Sequence, residues 1–209
     1  VKIKASDVDR LLQDPTVISI EIDQTMYVSE TQSPSPSWGL DRIDQRQLPL
    51  DSSFTTTLLG GNVDVYIVDT GVNTSHTDFT GRIGAGFTSI ADGNGVNDCN
   101  GHGTHVAGTT AGSRYGIAKQ SSVIPVRVLG CTGSGSTSGV IAGLDWIASH
   151  HSAGNPAVAN MSLGGGTSVA LDTAVQSVIN DGVTVAVAAG NSNVDACNSS
   201  PARVANAVT

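Results

Sequence analysis

Four short apolar runs, Val63–Val68, Val123–Leu129, Val158–Met161 and Val183–Val187, recur along the chain between stretches of helical spacing. Runs this short, bounded by turn residues and without polar alternation, read as strands buried on both faces of a parallel sheet. Val140, Ile141, Leu144 and Ile147 mark one amphipathic helix. Leu171, Ala174, Val175, Val178 and Ile179 mark another, ended by Asp181-Gly182. Strand–helix alternation predicts an α/β fold, an open, mostly parallel sheet with helices on both faces. Ligands of such sheets sit outside the carboxyl ends of the strands. Asp69, Leu163-Gly164 and Gly190-Asn191 all fall just past strand ends, so they are expected to meet at one edge.

The first thirty residues follow another pattern. Ser6-Asp7-Val8-Asp9 resembles a capping box, Val8, Leu11 and Leu12 share one helical face, and Pro15 stops the helix. Val17–Asp23 alternates, with Ile18, Ile20 and Ile22 on one side, and reads as a half-buried strand. A helix and a strand cannot stabilise themselves, so this piece is expected to lean on the rest. Thr31-Gln32-Ser33-Pro34-Ser35-Pro36-Ser37 reads as an extended linker open to cleavage.

Composition narrows the function classes. The net charge is −8 with no Lys/Arg cluster, so nucleic acid is not an expected partner. Acidity suits calcium binding or plain solubility, and solubility is the default. No apolar run approaches the roughly 18 residues that span a membrane, so no membrane partner is expected. The chain opens on Val1 and stops within an apparent strand, so both ends are expected to be cut. Cys99 and Cys131 flank a histidine helix and the next strand and can close one loop, a bridge typically worth about 2–4 kcal/mol. Cys197 is then free or paired beyond Thr209. Cysteine pairing implies an oxidising setting. No Cys-x-x-Cys pair suggests a metal.

The chemistry lies in two motifs. Val65-Tyr66-Ile67-Val68 ends in Asp69-Thr70-Gly71, and Gly101-His102-Gly103-Thr104-His105-Val106-Ala107-Gly108 follows 33 residues on, counted from Asp69 to His102. Histidine exchanges a proton near neutral pH, and a buried carboxylate on its Nδ1–H fixes the tautomer and stabilises the imidazolium. His102-x-x-His105 is a poor zinc motif, because zinc helices space histidines four apart with a glutamate between them. Gly164-Gly165-Gly166 fails as a dinucleotide motif, lacking the G-x-G-x-x-G turn and its later acidic residue. Asn191, after Ala188-Ala189-Gly190, suits either a left-handed turn or an amide donor aimed at a ligand.

With Asn160-Met161-Ser162-Leu163-Gly164-Gly165-Gly166 and Ala188-Ala189-Gly190-Asn191, these motifs resemble subtilisin-type serine proteases of the proteinase K branch, nearest the aqualysin-like extracellular bacterial enzymes. The likeness covers nearly the whole chain. It implies a secreted, monomeric endopeptidase of subtilisin-like fold acting on proteins or peptides through an Asp-His-Ser triad and an acyl-enzyme. Asp69 would orient His102, His102 would be the base, and Asn191 would serve the oxyanion hole. Gly133-Ser134-Gly135 and Ser162-Leu163-Gly164 would flank the substrate, bound as an added antiparallel strand. Gly164, Gly165, Ala188, Ala189 and Gly190 would floor an uncharged first pocket with a broad apolar and aromatic preference.

The resemblance also implies that residues 1–30 are the remnant of an inhibitory propeptide, acting on its own protease and cut near Val28–Thr31. Residues 31–209 would be an incomplete peptidase domain. The family's serine sits in a Gly-Thr-Ser-Met-Ala helix start that these residues lack, so the chain by itself is expected to be inactive, its C-terminal part missing. The alternative is a naturally truncated, non-catalytic peptide-binding protein. Asp41, Asp44, Gln45 and Asp51 read as a helix start with solvated carboxylates, and the resemblance adds structural calcium. Asp92, Asn94 and Asp98 are a weaker calcium candidate, and carbonyls near Ala205 and Ala207 a third. His105 and His76 read as structural, and His150 and His151 as solvated helix-end residues.

Overall fold

A computed structural model describes residues 4–17 and 30–209. The chain runs α1 (Val8–Leu12), β1 (Glu30–Gln32), α2 (Trp38–Ile43), β2 (Phe54–Thr56), β3 (Asp64–Asp69), β4 (Phe87–Thr88), α3 (His102–Ala111), β5 (Ser122–Arg127), α4 (Thr137–His150), β6 (Ala157–Met161), α5 (Val169–Asn180) and β7 (Thr184–Val187). Pro15 follows α1 as expected. The alternating strand expected over Val17–Asp23 lies, beyond Val17, outside the described residues.

The four apolar runs become the core strands. The sheet order is β4-β5-β3-β6-β7, parallel throughout, with Asp69 opposite Arg127 across β3 and β5. Alternate residues of β3 feed two cores, because successive side chains of a strand point to opposite faces. Val65 and Ile67 pack with Ala107 and Ala111 of α3 and with Val123. Tyr66 and Val68 pack with Leu144 and Ile147 of α4 and Val175 and Val178 of α5. Helices therefore cover both faces, as the periodicity predicts. Ser136 caps α4 and Ser168 caps α5, their side chains accepting the N–H of Gly139 and Leu171. No described helix is long and apolar enough to cross a membrane.

The chain leaves β3 toward the face of α3, and leaves β5 and β6 toward the face of α4 and α5. Neighbouring loops thus part at the carboxyl end of β3, where parallel sheets open a crevice.

Three features depart from the sequence reading. The expected linker contains a strand, since β1 pairs antiparallel with β2 and Gln32 stands opposite Phe54. The partner lies 22 residues on, so local composition carries no trace of it. β4 is a two-residue edge strand, too short for periodicity to register. His151 is buried rather than solvated: its Nδ1 lies 2.7 Å from Asp181 Oδ2 and its Nε2 2.9 Å from the Asn155 carbonyl. The end of α4 docks against the amino-terminal rim of the sheet and takes His151 with it. His150 stays exposed, but its ring stacks on Trp146 and its Nδ1 meets the Tyr66 hydroxyl at 2.9 Å.

Candidate active site

Asp69 closes β3 at its carboxyl end. Its carbonyl accepts the N–H of Val128 and Leu129, which locks the strand end against β5. Its side chain is fully buried. Oδ1 accepts the Thr70 N–H at 2.6 Å and lies 2.7 Å from His102 Nδ1. Oδ2 is buried with no hydrogen-bond partner among the described residues. His102 is the first residue of α3 and about half exposed. Its Nδ1 faces a buried carboxylate, while its Nε2 meets no hydrogen-bond partner among the described residues. A ring held this way presents Nε2 as a proton acceptor.

The ring lines a cleft of about 420 Å³. One wall carries Gly133, Ser134 and Gly135, and the other Ser162, Leu163, Gly164 and Gly165. The sequence reading assigned all seven to the groove. Leu129, Val140 and Leu171 add apolar lining that the motifs do not announce, because it comes from α4, α5 and the loop after β5. Gly165 exchanges two backbone hydrogen bonds with Ser200, so its own backbone is occupied. The buried Ser200 hydroxyl contacts the backbone of Ser168 and is not turned toward His102. Ala188, Ala189, Gly190 and Asn191 follow β7 on the same sheet edge but do not line the cleft. Asn191 is exposed and its amide has no partner among the described residues.

A buried arginine supports this edge. Arg127 is fully buried at the end of β5. It donates two parallel bonds to Asp92, at 2.7 and 2.6 Å, and others to the carbonyls of Thr70 and Gly95. The Arg127 fork holds the Asp92 carboxyl far below the usual range, with help from the Asn94 N–H. Asp92 also raises the Arg127 guanidinium above its ordinary value. A lone arginine inside the apolar run Val126-Arg127-Val128 was the available signal, because an unpaired buried charge is costly.

Asp92, Asn94 and Asp98 do not form the second calcium candidate of the sequence reading. Asp92 is engaged by Arg127, and Asp98 turns to the start of α3, where it accepts from Gly101 and Thr104. Cys99 and Cys131 are joined by a disulfide, which ties the loop before α3 to the cleft wall at Gly133–Gly135. Asn100 strengthens the tie, donating to the Cys131 carbonyl at 2.9 Å. Cys197 is free and exposed. Asp92, Cys99 and Cys131 are the one group of three possible metal ligands among the described residues, but both sulfurs are in the disulfide.

The other acidic loop is built differently. Asp41 is buried and accepts the N–H of Asp51 and Ser52. Gln45 Oε1 accepts from the same Asp51 N–H, and Asp44 accepts from Thr55. Asp41 and Gln45 thus converge on one donor. His76 is structural: its ring accepts the Asp78 N–H and lies against Phe79.

Residues 60–209 match the model described as the Subtilase family. Over all 209 residues the chain is 58% identical to the extracellular serine proteinase of Thermus sp. (strain Rt41A), of which it covers 50%. Over 201 residues, 96% of this chain, it is 54% identical to alkaline serine exoprotease A of Vibrio alginolyticus, of which it covers 36%. The crystal structure of a cold-adapted subtilisin-like serine proteinase matches with a TM-score of 0.80 at 56% identity, over 84% of this chain and 63% of that one. The chain thus spans about half the length, or less, of the curated relatives it matches.

Proposed function

The chain belongs to the subtilase family, and we propose that it carries the aspartate–histidine part of a secreted serine endopeptidase with broad apolar and aromatic preference. The observation that carries this reading is the 2.7 Å contact between Asp69 Oδ1 and His102 Nδ1 at the mouth of a glycine-walled cleft. The extracellular name of the Thermus relative supports secretion.

In this reading a serine Oγ attacks the peptide carbonyl while His102 Nε2 takes its proton. Asp69 holds the Nδ1–H and stabilises the imidazolium. The tetrahedral oxyanion is held in part by the Asn191 amide. His102 then passes the proton to the leaving amine, and an acyl-enzyme remains. Water, deprotonated by the same histidine, releases the acid and frees the serine. The peptide lies as an extra strand between Gly133–Gly135 and Ser162–Gly164, with main-chain bonds supplying affinity. Among the described residues no Asp, Glu, Lys or Arg lines the cleft, which supports an uncharged first pocket.

The nucleophile belongs to a Gly-Thr-Ser-Met-Ala segment absent from these 209 residues, so in this reading they are inactive alone. Residues 1–30 act as the remnant of an intramolecular inhibitor, and the enzyme is a monomer. Structural calcium completes the proposal, at the loop of Asp41, Asp44, Gln45 and Asp51. The resemblance supports this site, and its side-chain oxygens are hard donors of the kind calcium takes. Those of Asp41, Asp44 and Gln45 already accept the N–H groups of Asp51, Ser52 and Thr55, so a bound ion would have to share or displace these donors. The ion would supply rigidity, not chemistry.

Sequencing the coding region past Thr209 tests the proposal. An open frame that reaches Gly-Thr-Ser-Met-Ala and a further cysteine is the expected result. A stop codon there would overturn the enzyme reading and leave a peptide-binding relic.

A further inference from the structure

The first turn of α3 is satisfied entirely by side chains from outside the helix. Its N-cap is Gly101, which has no side chain to cap with. The N–H of His102 goes to Asn100 Oδ1, that of Gly103 to Thr70 Oγ1, and that of Thr104 to Asp98 Oδ2. A helix start leaves these donors unpaired unless something supplies acceptors. Asp98 is the hub. Its Oδ1 accepts from the Thr70 hydroxyl and from the N–H of Asn100 and Gly101, each at 2.9 Å. Its Oδ2 accepts the Thr104 N–H at 2.9 Å and the Thr104 hydroxyl at 2.6 Å.

We propose that Asp98 is a positioning residue for the acid–base pair, clamping Thr70, the neighbour of Asp69, to the helix turn that begins at His102. This inference rests on the proposed function. The chain of contacts is continuous: Asp98 holds Thr70, Thr70 holds the Gly103 N–H, and Asp69 and His102 adjoin these two residues. Five donors around one side chain require an ionised carboxylate. An asparagine offers one acceptor oxygen, and its NH₂ would face N–H and O–H donors on either side. Burial pushes the Asp98 carboxyl up, but the N–H groups of Gly101, Thr104 and Asn100 and the Thr104 hydroxyl outweigh it and hold it below its ordinary value. A negative charge at a helix N-terminus is favoured in addition.

The test is NMR of the ¹⁵N-histidine-labelled chain. The His102 Nδ1–H, in its short bond to Asp69, should give a low-field, slowly exchanging resonance. The ring N–H signals of His151, on the opposite rim of the sheet, report folding. Asp98→Asn is expected to lose the His102 signal and keep those of His151. Should Asp98→Asn lose both sets, Thr70→Val decides, since it removes the hydroxyl that joins Asp98 and the Gly103 N–H without a change of size. Loss of the His102 signal alone in Thr70→Val supports the proposal. A His102 signal unchanged in Asp98→Asn, or in Thr70→Val, overturns it. Asp69→Asn separates the two readings: a His102 signal that survives it sinks the acid–base pair itself, and with it the proposed function.

Discussion

Gly103 lies directly against Asp69. A Cβ at Gly103 would stand 3.1 Å from both Cβ and Oδ1 of Asp69 and would collide with the Gly71 carbonyl. Helix α3 reaches the end of β3 only because its second residue, Gly103, has no side chain.

Gly103→Ala should therefore push His102 away from Asp69. The colliding atom is backbone, which cannot swing aside, so the cost should fall in the roughly 1–3 kcal/mol range of overpacked sites. Urea denaturation and the His102 Nδ1–H resonance together check this. A variant of unchanged stability with an intact resonance would contradict the packing account.

Arg127 is expected to be irreplaceable by lysine. Its fork meets both Asp92 oxygens while its Nε meets the Thr70 carbonyl, and an ammonium cannot do both. Arg127→Lys should cost roughly 1–3 kcal/mol through unpaired buried carbonyls. The pH dependence has a definite sign. The folded Asp92 carboxyl is depressed, so its contribution is present above the unfolded value of about 3.9 and is lost as pH falls through the folded value. Arg127→Lys should flatten acid denaturation, and an equally steep acid limb would refute the assignment.

His151 carries the opposite sign. Both ring nitrogens face acceptors, the Asn155 carbonyl and the Asp181 carboxylate, an arrangement that favours the doubly protonated ring. The Asn155 carbonyl raises its pKa most, burial opposes, and the Asp181 hydrogen bond and the charges of Asp181 and Asp64 add to the rise. Nearby, burial beside Asp64 and Asp181 pushes the Tyr66 phenol up to about 12, so it stays neutral. The His151 contribution is complete below the unfolded value of about 6.5 and disappears as pH rises through the folded value. Denaturation midpoints should fall from neutral toward alkaline pH, and His151→Gln should remove that fall. A His151→Gln profile as steep as that of the parent chain would count against it.

Reduction of the Cys99–Cys131 bridge should destabilise the chain by about 2–4 kcal/mol. Amide exchange should quicken first at Gly133–Gly135, the wall it anchors. Calcium is checked separately: EDTA should lower the melting temperature, and an unchanged value removes the ion from the proposal.

Much of this was legible in the sequence, for physical reasons. Apolar runs specify strands locally, so β3, β5, β6 and β7 and a parallel sheet covered on both faces could be read directly, while its subtilisin-like character came from the motif resemblance. Asp69 at a strand end and His102 at a helix start stand out as compact motifs, whereas the two groove walls look like ordinary loops and were assigned only through the family resemblance. Arg127 and His151 were not legible, because each is defined by a partner distant in the chain. Asp98 was not, because its link to Thr70 is long-range while its local N–H contacts look like those of any loop carboxylate. Acidic loop residues are ambiguous by nature: the same carboxylate suits a cation, an arginine or a helix N-terminus. Asp92 and Asp98 illustrate the point, one engaged by Arg127 and the other by α3.

The most direct measurement is peptide hydrolysis by the protein expressed from its whole coding region and by its His102→Ala variant, with an apolar or aromatic residue before the scissile bond. The account expects His102→Ala to lower kcat by roughly 10⁴-fold or more. Hydrolysis by His102→Ala at a rate near that of the parent protein would contradict it.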